Sequence, residues 1–108
     1  MLVVRGDIFR YKPREYHGHK QFGPRFGVVV QSDDLLLSTW LVAPTSTSAR
    51  PAVFRPEIML DGRSTRILVE QTTVVNPEQE LGDFVGRLDG PEFAELDAAI
   101  ALVFGLIV

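Results

Sequence analysis

The chain has 108 residues, 45% of them hydrophobic, enough for one domain, residues 1–108, with a modest core that a dimer would extend. It has no cysteine, which excludes disulfides, thiolate metal sites and Cys/His zinc patterns. The net charge of −3 is unevenly spread: ten Lys/Arg face six Asp/Glu up to Arg66 (+4), and one Arg faces eight acids from Ile67 onward (−7). A basic first half suits phosphate, and an acidic second half suits solvent or a basic partner.

In chain order, Arg5 to Tyr11 alternates polar and apolar side chains and reads as a first strand, ended by Pro13. Arg5 and Asp7 also cut short the apolar start, so no leader peptide is read. Lys12 to Pro24 is a long loop, and long loops in compact domains are often functional. Phe26 to Gln31, with three successive valines, reads as a strand buried on both faces. Arg25 stands where that loop meets the rigid strand, a placement suited to a preorganised phosphate clamp. Leu35 to Ala43 reads as a third strand stopped by Pro44, followed by the hydroxyl run Thr45 to Ser48.

Val53 to Leu60 alternates again, but Pro56 makes it an edge or bulged strand. Asp61-Gly62 is a tight-turn signal. Arg66 to Gln71 and Asp83 to Leu88 read as further strands, with a turn at Val74 to Pro77 between them. The one helix expected is C-terminal. Asp89-Gly90-Pro91 starts it, Phe93, Leu96, Ile100, Val103, Phe104 and Ile107 form its apolar stripe, and Gly105 stops it. Its apolar end, Ala98 to Val108, is about half the length a bilayer span needs. The expected fold is mainly β with a C-terminal helix, a small closed or half-closed antiparallel barrel. The expected location is cytoplasmic, with no membrane partner.

Five segments together resemble the MazF/PemK-type toxins of toxin–antitoxin pairs. They are Arg5-Gly6-Asp7-Ile8, Gly18-His19-Lys20-Gln21 with Arg25, Val42-Ala43-Pro44-Thr45-Ser46, Val69-Glu70-Gln71, and the strand and closing helix from Leu81 to Leu106. The likeness spans essentially the whole chain in the family's order. It implies an SH3-like barrel of the CcdB/PemK type, a homodimer, and metal-independent, cofactor-free cleavage of single-stranded RNA through 2′-OH attack. It also implies neutralisation by a cognate, MazE-like antitoxin. The chain departs from the pattern in Phe26 after Arg25, in Lys20 at the loop acid, and in Leu68 where one branch carries a second arginine.

Cleavage of this kind needs a phosphate clamp, a hydroxyl partner and groups that move protons. Arg25 is the clamp candidate, and losing such a donor costs on the order of 10²–10³ in rate; the alternative is a surface arginine in an ion pair. Thr45 or Ser46 is the hydroxyl candidate, one residue's ambiguity apart; the alternative is a Ser/Thr turn satisfying its own backbone. His19 has an ordinary titration range near neutrality and is a proton-transfer candidate, or else an exposed loop histidine. Glu70 is a candidate base, or a buried, ion-paired carboxylate. Lys12, Arg14, Lys20, Gln21 and Phe22 are RNA-binding candidates, with Tyr16 and Trp40 as further rings that could stack on unpaired bases; Trp40 fits core packing better. The rival function is a non-catalytic, CcdB-like module that poisons a protein such as gyrase.

Overall fold

The computed structural model describes residues 3–12 and 25–106. Its strands are β1 (Asp7–Tyr11), β2 (Phe26–Val29), β3 (Trp40–Ser46), β4 (Glu57–Leu60), β5 (Arg63–Ile67), β6 (Thr73–Val75) and β7 (Leu81–Arg87). A short helix α1 (Pro77–Glu80) precedes β7, and α2 (Gly90–Val103) follows it. The strands form a seven-stranded sheet in the order β4-β5-β3-β2-β1-β7, with β6 paired to β3. Every pairing is antiparallel, and the sheet curves into a half-barrel closed by α2.

β3 is the spine of this arrangement. On one side its middle pairs with β2 (Gly27↔Pro44 to Val29↔Val42). On the other it changes partner, from β6 at Trp40–Val42 to β5 at Thr45–Ser46. Pro44 was expected to stop the strand, yet the strand runs on through it. The carbonyl of Pro44 accepts a hydrogen bond of 2.8 Å from Leu68 N, on the side where the partner changes. A missing N–H at that switch breaks no regular ladder, so proline is tolerated inside a central strand.

Other boundaries also moved. The expected strand over Leu35–Ala43 starts only at Trp40, and Leu36 is 93% exposed. The Gln31 side chain closes this loop instead, accepting from Leu41 N at 2.9 Å. β5 ends at Ile67 rather than Gln71; Val69–Gln71 is a 3-10 turn. Ile67, Leu68 and Val69 are all buried because the chain turns through the core there instead of alternating. Val74–Pro77 is not a plain turn: Thr73–Val75 forms β6, and the Asn76 side chain accepts from Glu78 N at 3.1 Å to open α1. The expected strand over Val53–Leu60 starts only at Glu57; β4 is an edge strand, as Pro56 implied, and Asp61-Gly62 at φ 51° and 73° makes its tight hairpin to β5.

The sheet buries both faces. On one, Ile8, Val28, Ala43, Ile58 and Ile67 pack on Leu96 and Ala99 of α2. On the other, Phe9, Val29, Val42 and Val75 form a smaller cluster joined by Tyr11 and Trp40. The Trp40 and Phe9 ring centroids lie 5.7 Å apart, so Trp40 packs as the core alternative supposed. Gly27 lets β2 and β3 meet closely beneath Tyr11: a Cβ built there would lie 2.5 Å from Val42 Cγ1.

α2 has the N-terminus its sequence indicated. The Asp89 side chain accepts from Glu92 N at 2.8 Å, and the Glu92 side chain accepts from Asp89 N at 3.0 Å. At the far end, Leu106 N reaches Ala101 O and Gly105 N reaches Leu102 O, a Schellman closure. Phe104 falls beyond the last turn and is 60% exposed, so it leaves the expected stripe, and Ala99 fills the buried position.

Candidate active site

Alternation along β3 separates the two hydroxyl candidates. Thr45 pairs with Ile67 and is 3% exposed, on the face that packs against α2. Ser46 is half-buried on the opposite face and pairs with Arg66 of β5. On the β2 side the ladder ends at Gly27↔Pro44; Arg25, just before β2, and Ser46, at the end of β3, each lie two residues beyond that last pair, on the same face as it. Tyr11 N donates to Arg25 O at 2.9 Å, which ties the arginine's backbone to the end of β1.

Glu57, Arg66 and Ser46 form a cross-strand row, and Arg25 and Tyr11 lie together beyond the end of the β2–β3 ladder. Directly opposed residues in such a row have Cβ atoms about 4.5–5.5 Å apart. Arg25 is half-buried, with its Nε fully covered. A guanidinium on that footing loses little freedom when it takes up an anion.

The Ser46 hydroxyl also closes a local turn. It accepts from Ser48 N at 3.2 Å and lies 3.3 Å from Ser48 Oγ. The hydroxyl-turn alternative therefore holds in part. It is compatible with a ligand role when Ser48 Oγ donates in that contact, because the Ser46 hydroxyl proton is then left to donate.

Glu70 is ion-paired. Its Oε2 lies 2.8 Å from Arg55 Nε and 2.6 Å from Arg55 Nη2. Arg55 Nη1 also donates to Arg50 O at 3.1 Å, tying the segment after β3 to the 3-10 turn. Both side chains keep about a quarter of their surface exposed (24% and 26%), so the pair is an anchor at the rim and not a sealed core charge. Between that segment and α2 lies a cleft of about 500 Å³, lined by Arg55, Pro56, Glu57, Arg66 and Glu95 among others.

Lys12, directly after β1, is exposed, its N–H held by Glu80 O at 2.7 Å. Arg14, Tyr16, His17, His19, Lys20, Gln21 and Phe22 lie outside the described residues. Sequence reading missed Arg66 as a member of the row and Tyr11 as a neighbour of Arg25. The signal for Arg66 was its place between two inward residues, Thr65 and Ile67, but the strand opposite it is fixed by register and not by local pattern. Asp7, part of the Arg-Gly-Asp opening, is structural. It is 1% exposed, accepts from Val4 N at 3.0 Å and meets Arg87 Nε at 2.6 Å.

Among the described residues, no three or more His, Asp or Glu side chains converge as metal ligands, and no helix is long and apolar enough to cross a membrane.

The half-barrel fold has known counterparts. Residues 4–104 match the PemK-like, MazF-like toxins of type II toxin–antitoxin systems, and the chain belongs to that family. It is 40% identical over 106 residues to a Mycobacterium tuberculosis (strain ATCC 25618 / H37Rv) protein named "Putative toxin Rv3098A/RVBD_3098A", covering 97% of this chain and 100% of that one. Its fold is similar to a mycobacterial endoribonuclease solved in complex with its cognate antitoxin (TM-score 0.78, 15% identity, 98% of both chains). It is similar also to MazF from Deinococcus radiodurans (TM-score 0.78, 15% identity, 97% of this chain and 98% of that one) and to the Mycobacterium tuberculosis toxin MazF-mt6 (0.75, 18% identity, 94% and 99%).

Proposed function

We propose that this toxin is a sequence-selective endoribonuclease that cuts single-stranded RNA without a metal ion or cofactor. The 2′-oxygen of one ribose attacks the adjacent phosphorus, the bond to the 5′-oxygen breaks, and a 2′,3′-cyclic phosphate forms. The 2′-hydroxyl loses its proton and the departing 5′-oxygen gains one. Arg25 holds the non-bridging oxygens, where negative charge builds in the pentacoordinate state. Ser46 donates its hydroxyl hydrogen to the same phosphate.

His19, six residues before Arg25 in the sequence, is the proposed proton-transfer residue. The bond from Glu70 to Arg55 supports an anchoring role for that carboxylate over the role of a base. Lys12, Arg14, Lys20, Gln21 and Phe22 hold the flanking nucleotides through phosphate contacts and stacking.

One observation carries this reading: Arg25, directly before β2, and Ser46, at the end of the neighbouring β3, fall on one face by strand alternation, while Thr45 is turned away. The family membership adds the toxin context. A cognate MazE-like antitoxin, acidic where it meets the basic loop, is the proposed regulator, and a cytoplasmic homodimer the proposed working form.

The test is purified protein with a long RNA in EDTA. Discrete fragments ending in cyclic phosphate are expected. Intact RNA, together with growth arrest and broken DNA in cells, would transfer the protein to the gyrase-poison reading.

A further inference from the structure

We propose that Arg10 is a positioning residue for Arg25, acting through the ring of Phe26. The proposal rests on the nuclease reading, in which Arg25 is the phosphate clamp. Neighbouring residues of β1 grip neighbouring residues at the start of β2. Tyr11 N donates to Arg25 O at 2.9 Å, and the Arg10 guanidinium carbon lies 5.6 Å from the centre of the Phe26 ring. Arg10↔Phe26 is the last pair of the β1–β2 ladder, and the end of a ladder frays unless side chains hold it.

Phe26 is half-buried and packs against the core beneath α2, while Arg10 is exposed and lies over its ring. On the other side of β1, a Cβ built on Gly82 of β7 would lie 3.3 Å from Arg10 Cβ, so the missing side chain there leaves the arginine room. Among the described residues the Arg10 guanidinium has no hydrogen bond or ion pair, so the ring is what fixes its direction. A cation over an aromatic face shifts a local equilibrium by about 2- to 5-fold at an exposed site. Phe26 is bonded directly to Arg25, so a ring that slips carries the clamp with it, and a displacement of about 1 Å costs about 10²-fold in rate.

Amide hydrogen exchange at Tyr11 reads the bond to Arg25 O with no RNA present. Arg10→Gln is expected to speed that exchange by about 2- to 5-fold. It is expected to lower the single-turnover rate at saturating RNA by about tenfold, short of the cost of a displacement of about 1 Å. Binding to a fully 2′-O-methylated RNA, which has no attacking hydroxyl, is expected to keep the wild-type salt dependence. A lost phosphate contact would instead lower the slope of log affinity against log salt by about 0.7 on a single strand. Phe26→Leu, which keeps apolar bulk and removes the ring, is expected to reproduce both effects, and the double variant to add nothing further. Arg10→Lys is expected to recover part of the rate, since an ammonium keeps the charge over the ring without the flat stack. Arg63→Gln, an exposed arginine at the start of β5, is the control for lost charge and is expected to change none of these.

Wild-type exchange at Tyr11 in Arg10→Gln would overturn the brace, whatever happens to RNA. A salt slope lower by one increment would make Arg10 a phosphate ligand and overturn the positioning role, as would additive losses in the double variant. If Phe26→Leu shows no melting transition, the Arg10 variants decide: a wild-type cleavage rate in Arg10→Gln overturns the inference. A wild type that does not cut RNA would remove the nuclease reading and the catalytic half of the proposal with it, while the exchange at Tyr11 would still decide whether Arg10 holds Arg25 in place.

Discussion

Thr45 and Ser46 are neighbours in β3, yet their side chains stand on opposite faces of the sheet. Thr45 lies opposite Ile67 in the packed layer under α2, and Ser46 lies opposite Arg66 on the outer layer, the face on which Arg25 also falls. A one-residue ambiguity in the sequence is thus a two-sided distinction in space, because side chains of a strand alternate. Ser46→Ala is expected to lower cleavage by about 10²-fold, within the range for a preorganised donor, while Thr45→Val keeps activity within about threefold of wild type. Single-turnover rates on one RNA compare them directly. The reverse order would move the functional hydroxyl to the buried face.

Thr65 offers a stability test away from the site. Its hydroxyl is buried and, among the described residues, has no hydrogen-bond partner. Leaving such a group dry and unmatched is unfavourable, and valine has nearly the same shape. Thr65→Val is expected to raise unfolding stability by about 1 kcal/mol in denaturant titration. A loss of stability would mean that the hydroxyl is satisfied in solution.

Gly27 tests how closely β2 and β3 must approach. A methyl group there would sit 2.5 Å from Val42 Cγ1 and 3.6 Å from Tyr11 Cβ. Gly27→Ala is expected to destabilise by about 1–3 kcal/mol, as overpacking does, and to displace the strand that carries Arg25. Thermal melts and cleavage rates should fall together. A variant that melts like wild type would show that β2 has slack the packing does not suggest.

The Arg55–Glu70 pair separates anchoring from catalysis. Arg55→Gln and Glu70→Gln are each expected to lower stability, and a double-mutant cycle should give a coupling of about 0.5–3 kcal/mol. Cleavage by Glu70→Gln is expected to stay within about tenfold of wild type, against the 10²–10⁴-fold attributed to a proton-transferring group. A loss in that larger range without any change in melting would restore Glu70 as a base.

The sequence carried the architecture further than the boundaries. The valine run of β2, the Asp-Gly hairpin and the Asp89/Glu92 box of α2 each announce a local structure with a local cause, and each formed. Leu35–Leu37 misled because an apolar run reads as a strand, whereas these leucines lie in an exposed loop spanned by the Gln31 side chain. Val69–Gln71 misled because burial without alternation also describes a turn through the core. The place of Arg25 directly before the valine run of β2 was legible and is where the structure has it. That Arg66 stands opposite Ser46 was not, since a single sequence does not encode cross-strand register visibly.

The most direct test of the account is RNA cleavage in EDTA by wild type and by Arg25→Ala, with the product ends identified. The account expects fragments with 2′,3′-cyclic phosphate from the wild type. It expects a rate lower by about 10²–10³ in the variant, with the melting curve little changed. Equal cleavage by the two proteins would contradict it.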